Sequence, residues 1–420
     1  MTQPVAPMTR AWLCVALLWF VALLNYLDRI MLTTMRSSLT NAIPMTDAQF
    51  GLLTSMFLWV YAALSPCAGF AADRLGRSPV VIGSLLAWSA VTWLTGQAKS
   101  FEQLLFARAL MGASEACYIP AAMALIMDYH RGPTRSLANG LHLSGVMVGS
   151  GLGGIGGWLA EQHAWNYAFN IFGLIGVSYS ILLIFLLRDA PRELLDASPS
   201  QTKVQFFPAI KSLCSRGSFF LALLYWGLLG LVGWSIAGWM PTYFKEQFHL
   251  GQGAAGFSAT GFLQGAALVG VIFGGTLTDR WSRDAERRRI TITAMALAIA
   301  VPGVLLTANT SILAVAIGGL MLYGLTRSFA DTNMMPILCL IADPRYRASG
   351  YGVLNLFSTI IGGLTIYAGG AMRDAQVNLS RVFQGAAISL AVCAGLLALV
   401  KPTESLHATS ARPGSVQHDA

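Results

Sequence analysis

The chain has 420 residues, 55% of them hydrophobic and only 11% charged. Soluble domains carry roughly 25% charged residues, so this composition excludes a water-soluble fold and implies lipid as the solvent. A formal charge of +8 would suit nucleic acid, but the charges sit in short stretches between apolar runs, with no basic face interleaved with aromatics, which excludes that partner.

A spanning helix needs about 20 mostly apolar residues. Twelve such runs follow one another: Ala11–Arg36, Phe50–Ala72, Val80–Gln97, Leu104–Met127, Ser136–Leu159 and Ala168–Leu187, then Phe219–Met240, Gly256–Leu277, Ile290–Leu306, Ile312–Ile341, Tyr351–Ala371 and Phe383–Val400. They are too long and continuous for the strands of an outer-membrane barrel. The first has no small-residue cleavage site behind it and leads into the array, so it reads as a retained helix. Cys14, Cys67, Cys117, Cys339 and Cys393 lie inside apolar runs and Cys214 in a basic loop, with no CxxC and no Cys/His spacing suited to metal. All read as free thiols, and no metal or cofactor is expected.

Lys and Arg set the orientation. Nineteen fall on the side holding both termini and the even-numbered loops, five on the other, and Arg29, Arg108 and Arg327 lie inside runs. The termini are therefore expected in the cytoplasm of a cell with this chain in its inner membrane. Residues 1–187 form an expected first six-helix bundle, 188–218 a basic cytoplasmic linker, 219–400 a second bundle, and 401–420 a polar, disordered tail.

An internal repeat supports the division. GFAADRLGRS, residues 69–78, follows the second run, and GGTLTDRWSR, residues 274–283, follows the eighth. Asp73, Arg74 and Arg77 match Asp279, Arg280 and Arg283 at an offset of 206. Runs four and ten each place a carboxylate five residues before a proline, Glu115 with Pro120 and Asp331 with Pro336. Two parallel six-helix halves around a midplane site are a recurring transporter plan. The fold class is thus an all-α polytopic membrane protein, with twelve transmembrane helices in two pseudo-symmetric six-helix bundles.

The G-x-x-x-D-R-x-G-R loop at 69–77, with its degenerate copy at 274–283, resembles the signature of the major facilitator superfamily, and the resemblance covers Ala11 to Val400. Asn25-Tyr26-Leu27-Asp28-Arg29, together with Arg108 and Glu115 seven residues later, is similar to the anion:cation symporter family. That resemblance implies proton-driven import of sugar acids or other organic anions. Spinster-type lipid transporters carry a similar Asp-Arg and Arg…Glu and are the competing resemblance.

The charges inside the runs carry the chemistry: Asp28, Arg29, Arg108, Glu115, Arg327 and Asp331. Each costs about 2.5–3.5 kcal/mol at a helix centre on insertion scales, so they must pair or meet water in a central cavity. Desolvation raises a carboxylate's proton affinity and a nearby arginine lowers it, and the balance suits Asp28 to proton coupling. The alternative is a permanent Asp28–arginine pair that only holds the bundle. Arg108 and Glu115, two turns apart, share a face about 10.5 Å apart along the axis. Arg29 and Arg108 are expected to bind a substrate carboxylate in exchange with holding Asp28 and Glu115, so that protonation releases an arginine to the anion. Glu115 could instead be a gate residue. Arg327 and Asp331, four apart, either bridge within one helix or form a second charged wall with a binding arginine and a coupling acid.

Tyr26, Tyr61 and Asn355 are further candidate substrate contacts, whereas His142 and Gln264 read as helix–helix hydrogen bonds. Asp73, Arg74, Arg77, Asp279, Arg280 and Arg283 are expected to form a cytoplasmic gate, with Asp73 at a helix N-terminus and the arginines reaching acids across the interface; otherwise the arginines only set topology. Gly145, Gly149, Gly153 and Gly157 form a stripe that lets another helix approach. The GxGxxG at Gly149 lies in a membrane run with no preceding strand and is no nucleotide site. No Walker loop or nucleophile–base pairing appears, so the chain does not read as an enzyme. The expected partners are a small anionic substrate, protons and membrane lipid, with the chain working as a monomer.

Overall fold

The computed structural model describes residues 8–130, 134–191, 211–283, 285–343 and 346–402, the side chains of 68–73 and 348 excepted. Most of the expected linker, the tail beyond 402, the Asp73 side chain, Arg131 and Arg345 therefore lie outside the described residues. Twelve spans cross in turn: Met8–Thr34, Asp47–Cys67, Arg77–Thr95, Phe101–Tyr129, Arg135–Gln162 and Trp165–Leu186, then Gly217–Gln247, Gln252–Trp281, Arg287–Asn309, Leu313–Ile341, Ser349–Asp374 and Leu379–Leu399, called spans 1 to 12 below. This is a multi-pass membrane protein. Large apolar side chains such as Phe106, Phe185, Phe273 and Ile388 stand exposed around the outside, as a lipid-facing surface requires.

Local sequence explains where the spans depart from single rods. Span 1 ends at Thr34 rather than at the expected Arg36, and a separate short helix, Arg36–Ala42, follows. Span 4 consists of two helices, Phe101–Glu115 and Tyr118–Tyr129. Pro120 has no N–H for the carbonyl of Ala116 and its ring crowds that carbonyl, so the rod breaks one turn before the proline. Glu115 is left as the last residue of the upper piece. Pro336 does not break span 10, whose helix runs unbroken from Leu313 to Ile341.

The glycine stripe packs against span 1. A Cβ on Gly145 would lie 2.5 Å from the Trp19 carbonyl oxygen, and one on Gly157 would lie 2.7 Å from that of Thr34. The two halves meet along two seams. In one, span 2 lies on span 11, with Ser55 Oγ donating to the Gly363 carbonyl at 2.6 Å and Trp59 Nε1 to that of Ile360 at 3.2 Å. In the other, span 5 lies on span 8, with Thr260 Oγ1 donating to the Gly151 carbonyl at 3.0 Å.

With twelve crossings both termini share one face. At the opposite face ion pairs join the halves: Arg373 Nε reaches Asp47 at 3.0 Å and Arg36 reaches Glu246 at 3.8 Å. Toward the termini face the seam spans come apart, leaving Leu64, Cys67 and Tyr351 exposed.

The repeated loops differ from the expected latch across the interface. Arg77 pairs with Asp128 of its own half at 2.7 Å, and Asp279 with Arg289 of its own half at 2.5 Å. Arg74, Arg280 and Arg283 are exposed. Asp73 lies within the last turn of the span 2 helix, which runs on to Leu75, so it cannot begin the next one. Asp189 takes that place, its Oδ1 accepting from the Ser78 amide at 2.7 Å. The physical reason is the separation of the seam spans at this face, where the described ion pairs of both loops stay within their own halves.

Gly149 tests the close packing of span 5 on span 1, because a side chain there would run into the Leu23 backbone. Gly149→Val is expected to destabilise the folded chain by about 1–3 kcal/mol through overpacking, read as a lowered Tm in detergent. An unchanged Tm would refute the contact. Gly140→Val, in open space, serves as the control.

Candidate functional site

A cavity of about 320 Å³ lies between the halves near mid-membrane. Spans 1, 2 and 5 supply one wall, with Tyr26, Arg29, Tyr61 and Ser150. Spans 7, 8, 10 and 11 supply the other, with Trp226, Trp234, Gln264, Arg327, Asp331 and Asn355. Of the residues singled out from sequence, Tyr26, Arg29, Tyr61, Arg327, Asp331 and Asn355 all reach this space. Asp28, Arg108 and Glu115 do not line it.

These three stand behind the first wall, joined to it through Arg29. Arg29 Nε donates to Glu115 Oε2 at 2.7 Å, and Asn25 Nδ2 donates to the same oxygen at 2.9 Å. Glu115 Oε1 has no partner among the described residues. The Arg29 guanidinium also lies over three rings, 4.7 Å from Tyr26, 4.9 Å from Phe57 and 4.6 Å from Tyr61. Ring faces attract a cation, and more strongly where water is excluded. Arg29 is thus held by a carboxylate on one side and aromatic faces on others, while remaining part of the cavity wall.

Arg108 departs from the expected exchange with Arg29. It is fully buried, donating from Nε to the Leu53 carbonyl at 3.4 Å and from Nη1 to Met111 Sδ at 2.9 Å. Its guanidinium also lies over Phe57, at 4.8 Å. Seven-residue spacing put Arg108 and Glu115 on one face, but the upper piece of span 4 directs Arg108 into the packing against span 2, where backbone and ring partners hold it. Asp28 faces span 3, with Oδ2 accepting from Thr92 Oγ1 at 3.3 Å and Oδ1 without a partner among the described residues. Asp28, Arg29, Arg108 and Glu115 are between 0% and 4% exposed. Two carboxylates and two guanidiniums, all ionised, sum to zero charge.

On the second wall Arg327 Nη1 lies 3.1 Å from Asp331 Oδ2, with both side chains about one-third exposed to the cavity. The bridge within span 10, one of the two sequence alternatives, is thus formed, and both of its side chains line the cavity. Gly233 makes room for it: a Cβ there would stand 3.3 Å from Arg327 Nη2. Arg327 Nε and Trp226 Nε1 are donors without a partner among the described residues.

Sequence reasoning missed Asn25, Phe57, Thr92, Trp226 and Trp234. Trp226, Gly230 and Trp234 recur four residues apart on one face of span 7, a signal that could have been read. The roles of Phe57 and Thr92 depend on which spans neighbour which, and no local pattern records that. His142 makes a cross-helix bond, its Nε2 2.9 Å from Tyr118 Oη, which itself donates to the Leu18 carbonyl at 2.9 Å. Gln264, read as a helix–helix residue, lines the cavity.

The sequence pattern of the Major Facilitator Superfamily matches residues 18–366. The chain belongs to the major facilitator superfamily. It is a transporter rather than an enzyme. Among curated proteins it is 30% identical over 243 residues to human protein spinster homolog 1, covering 56% of this chain and 46% of that protein. It is 29% identical over 234 residues to Drosophila melanogaster protein spinster, covering 55% and 38%. The match thus spans less than half the length of these curated relatives. Two crystal structures of a bacterial homologue of the human lysosomal transporter spinster share the fold at 22% identity. The inward-facing, unoccupied form has a TM-score of 0.74 over 94% of this chain and 96% of that one, and the inward-facing, occupied form 0.71 over 92% and 94%.

The Arg29–Glu115 bond is testable as a pair. Removing one partner of a buried ion pair costs about 3–5 kcal/mol because the other charge is stranded. Glu115→Ala is therefore expected to lower Tm in detergent sharply, and Arg29→Leu/Glu115→Leu to recover most of the loss. Additive losses in the double variant would show that the two do not act as a unit.

Proposed function

We propose that the chain is a secondary active transporter that carries an organic anion together with a proton by alternating access. It would work as a monomer in the cell inner membrane with both termini in the cytoplasm. A single chain supplies both walls of the cavity, and the strong Lys/Arg bias supports that orientation. The cavity then faces the cytoplasm in this arrangement, since the ion pairs joining the halves lie at the other face.

One observation carries the reading: the buried group of Asp28, Arg29, Arg108 and Glu115 is charge-neutral when ionised and meets the cavity only through Arg29. A proton added to Glu115 weakens its hold on Arg29 and leaves the group one positive charge in excess. An anion in the cavity beside Arg29 neutralises that excess. Proton and anion then favour each other's binding, and linkage makes the effect reciprocal. Asp28 is the second coupling acid, with one oxygen unpartnered among the described residues and able to take a proton. Arg108 keeps the group neutral from behind the wall instead of exchanging with Arg29 at the substrate. Beside Arg29, Tyr26 and Tyr61 offer donors to the anion; across the cavity Arg327 and Asn355 do the same, and Asp331 restrains Arg327 until one arrives.

The substrate is either a small carboxylate, such as a sugar acid, or an amphiphile of the spinster type. The spinster relatives favour the second, as do Trp226 and Trp234, which give the second wall an apolar surface for an attached group. Proteoliposomes with an imposed pH gradient separate the readings. Gluconate and glucuronate would be compared with octanoate and a single-chain lysophospholipid. Gradient-driven accumulation is expected for at least one of these anions. Glu115→Gln and Asp28→Asn are expected to lower accumulation about tenfold or more while leaving counterflow in place. Arg327→Ala is expected to weaken apparent affinity about tenfold, as loss of a charge-assisted hydrogen bond does. Full accumulation by both acid variants would overturn proton coupling, and sodium dependence without pH dependence would replace it.

A further inference from the structure

The face that closes the cavity away from the termini carries two carboxylates in an unusual setting. Asp374 is the last residue of its own helix, Arg347–Asp374, in span 11. Its two oxygens accept from the amides of Asp47 and Ala48, each at 2.9 Å, in the first turn of the span 2 helix. Glu161 is next to last in the helix Gly154–Gln162 of span 5. Its oxygens accept from the amides of Gln252 at 3.3 Å and Gly253 at 3.1 Å, in the first turn of the span 8 helix. Span 11 is the fifth span of the second half and span 2 the second of the first. Span 5 is the fifth span of the first half and span 8 the second of the second. Each half therefore lends a carboxylate from the end of its fifth span to the start of the other half's second span.

The charge placement decides what these contacts do. A carboxylate at a helix C-terminus faces the partial negative charge of its own last carbonyls, whereas at a helix N-terminus it meets partial positive charge and unpaired amides. Both residues sit at the unfavourable end of their own helix and the favourable end of another's. When the halves part, the favourable contact is lost and the unfavourable one remains. The contacts thus stabilise one arrangement of the two halves relative to the other, beyond any general holding together. Each lies on a different seam. Between them run Arg36, Asp47, Glu246 and Arg373, and Lys245 Nζ donates to Ser37 Oγ at 2.6 Å across the halves.

We propose that Glu161 and Asp374 are positioning residues for alternating access: a crossed pair of helix caps that biases the two halves toward closure at the face away from the termini. The pair rests on the alternating-access reading but is independent of the cargo. Opening that face withdraws both carboxylates from the second-span helices at once, leaving the span 2 helix only its own Thr46–Gln49 capping box, so the two seams tend to open together.

The test uses the full chain in nanodiscs, with its native cysteines replaced and spin labels on Lys99→Cys and Ser311→Cys. These exposed loop positions lie at the face in question, one on each half. Pulsed electron resonance reads the distance between them without substrate. An exposed helix-end charge is worth little, so Asp374→Asn or Glu161→Gln alone should raise the ratio of long- to short-distance populations about two- to fivefold. The double variant should raise it by about the product of the two. Asp374→Glu, which keeps the charge and both acceptors, should restore the parent distribution. Glu102→Gln removes a carboxylate at the same face that caps no other half, and should leave the distribution as in the parent. A double variant with the parent's distribution would overturn the proposal, as would an equal shift from Glu102→Gln. A lowered Tm with unchanged distances would assign the residues to stability alone. Because no cargo is needed, failure to find a transported anion would not touch this result.

Discussion

Charge inside a membrane has to be balanced where it stands, and that constraint organises the first half of this transporter. Four ionisable side chains on spans 1 and 4 are almost wholly removed from water. The cost of leaving any of them alone exceeds what a marginally stable fold can spare. The chain meets it by bringing two acids and two bases together, by turning aromatic faces toward both guanidiniums, and by adding Asn25 and Thr92 as neutral partners. The balance is exact only while every group keeps its proton state. Arg29 is the member of the cluster that lines the cavity, and it is bonded directly to one of the buried acids.

The surrounding architecture frames that cavity. The seams of span 2 on span 11 and span 5 on span 8 are lined by glycines on which large side chains of the other half lie, Trp59 on Gly363 and Phe257 on Gly154. The polar contacts that do tie the halves together concentrate at one face. The cavity consequently has one closed end and one where the seam spans diverge, and its charged walls belong to bodies able to move relative to one another.

Much of this was legible in the chain. Twelve apolar runs, the duplicated loop and the Lys/Arg bias led to two six-helix bundles, because lipid imposes a length and a composition on each crossing. The charged residues inside the runs were found for the same reason: they are rare there and conspicuous. Which of them face the cavity was only partly readable. Arg29 and Arg327 reach it, whereas Arg108 turns away, since periodicity gives the face of a helix but not which neighbour that face meets. The repeated loops showed the same limit. Their charges were plain, but whether each pairs across the interface depends on how far apart the halves stand. Asp189 replaces Asp73 as a cap because the span 2 helix continues two residues beyond Asp73, a boundary finer than hydropathy resolves.

The break in span 4 has a consequence for how a signal can pass along the molecule. Ala116 and Cys117 separate a piece bearing Arg108 and Glu115 from one bearing Tyr118, which is tied to spans 1 and 5 through Leu18 and His142. A continuous rod would transmit every tilt of its lower part to its upper part. A jointed one uncouples them, so the lower segment can swing with its neighbours while the upper segment keeps its seat against span 2. Glu115, the last residue of the upper segment, stays with that seat and so keeps its place beside Arg29. The joint thus separates the piece that holds the buried charges from the piece tied to spans 1 and 5.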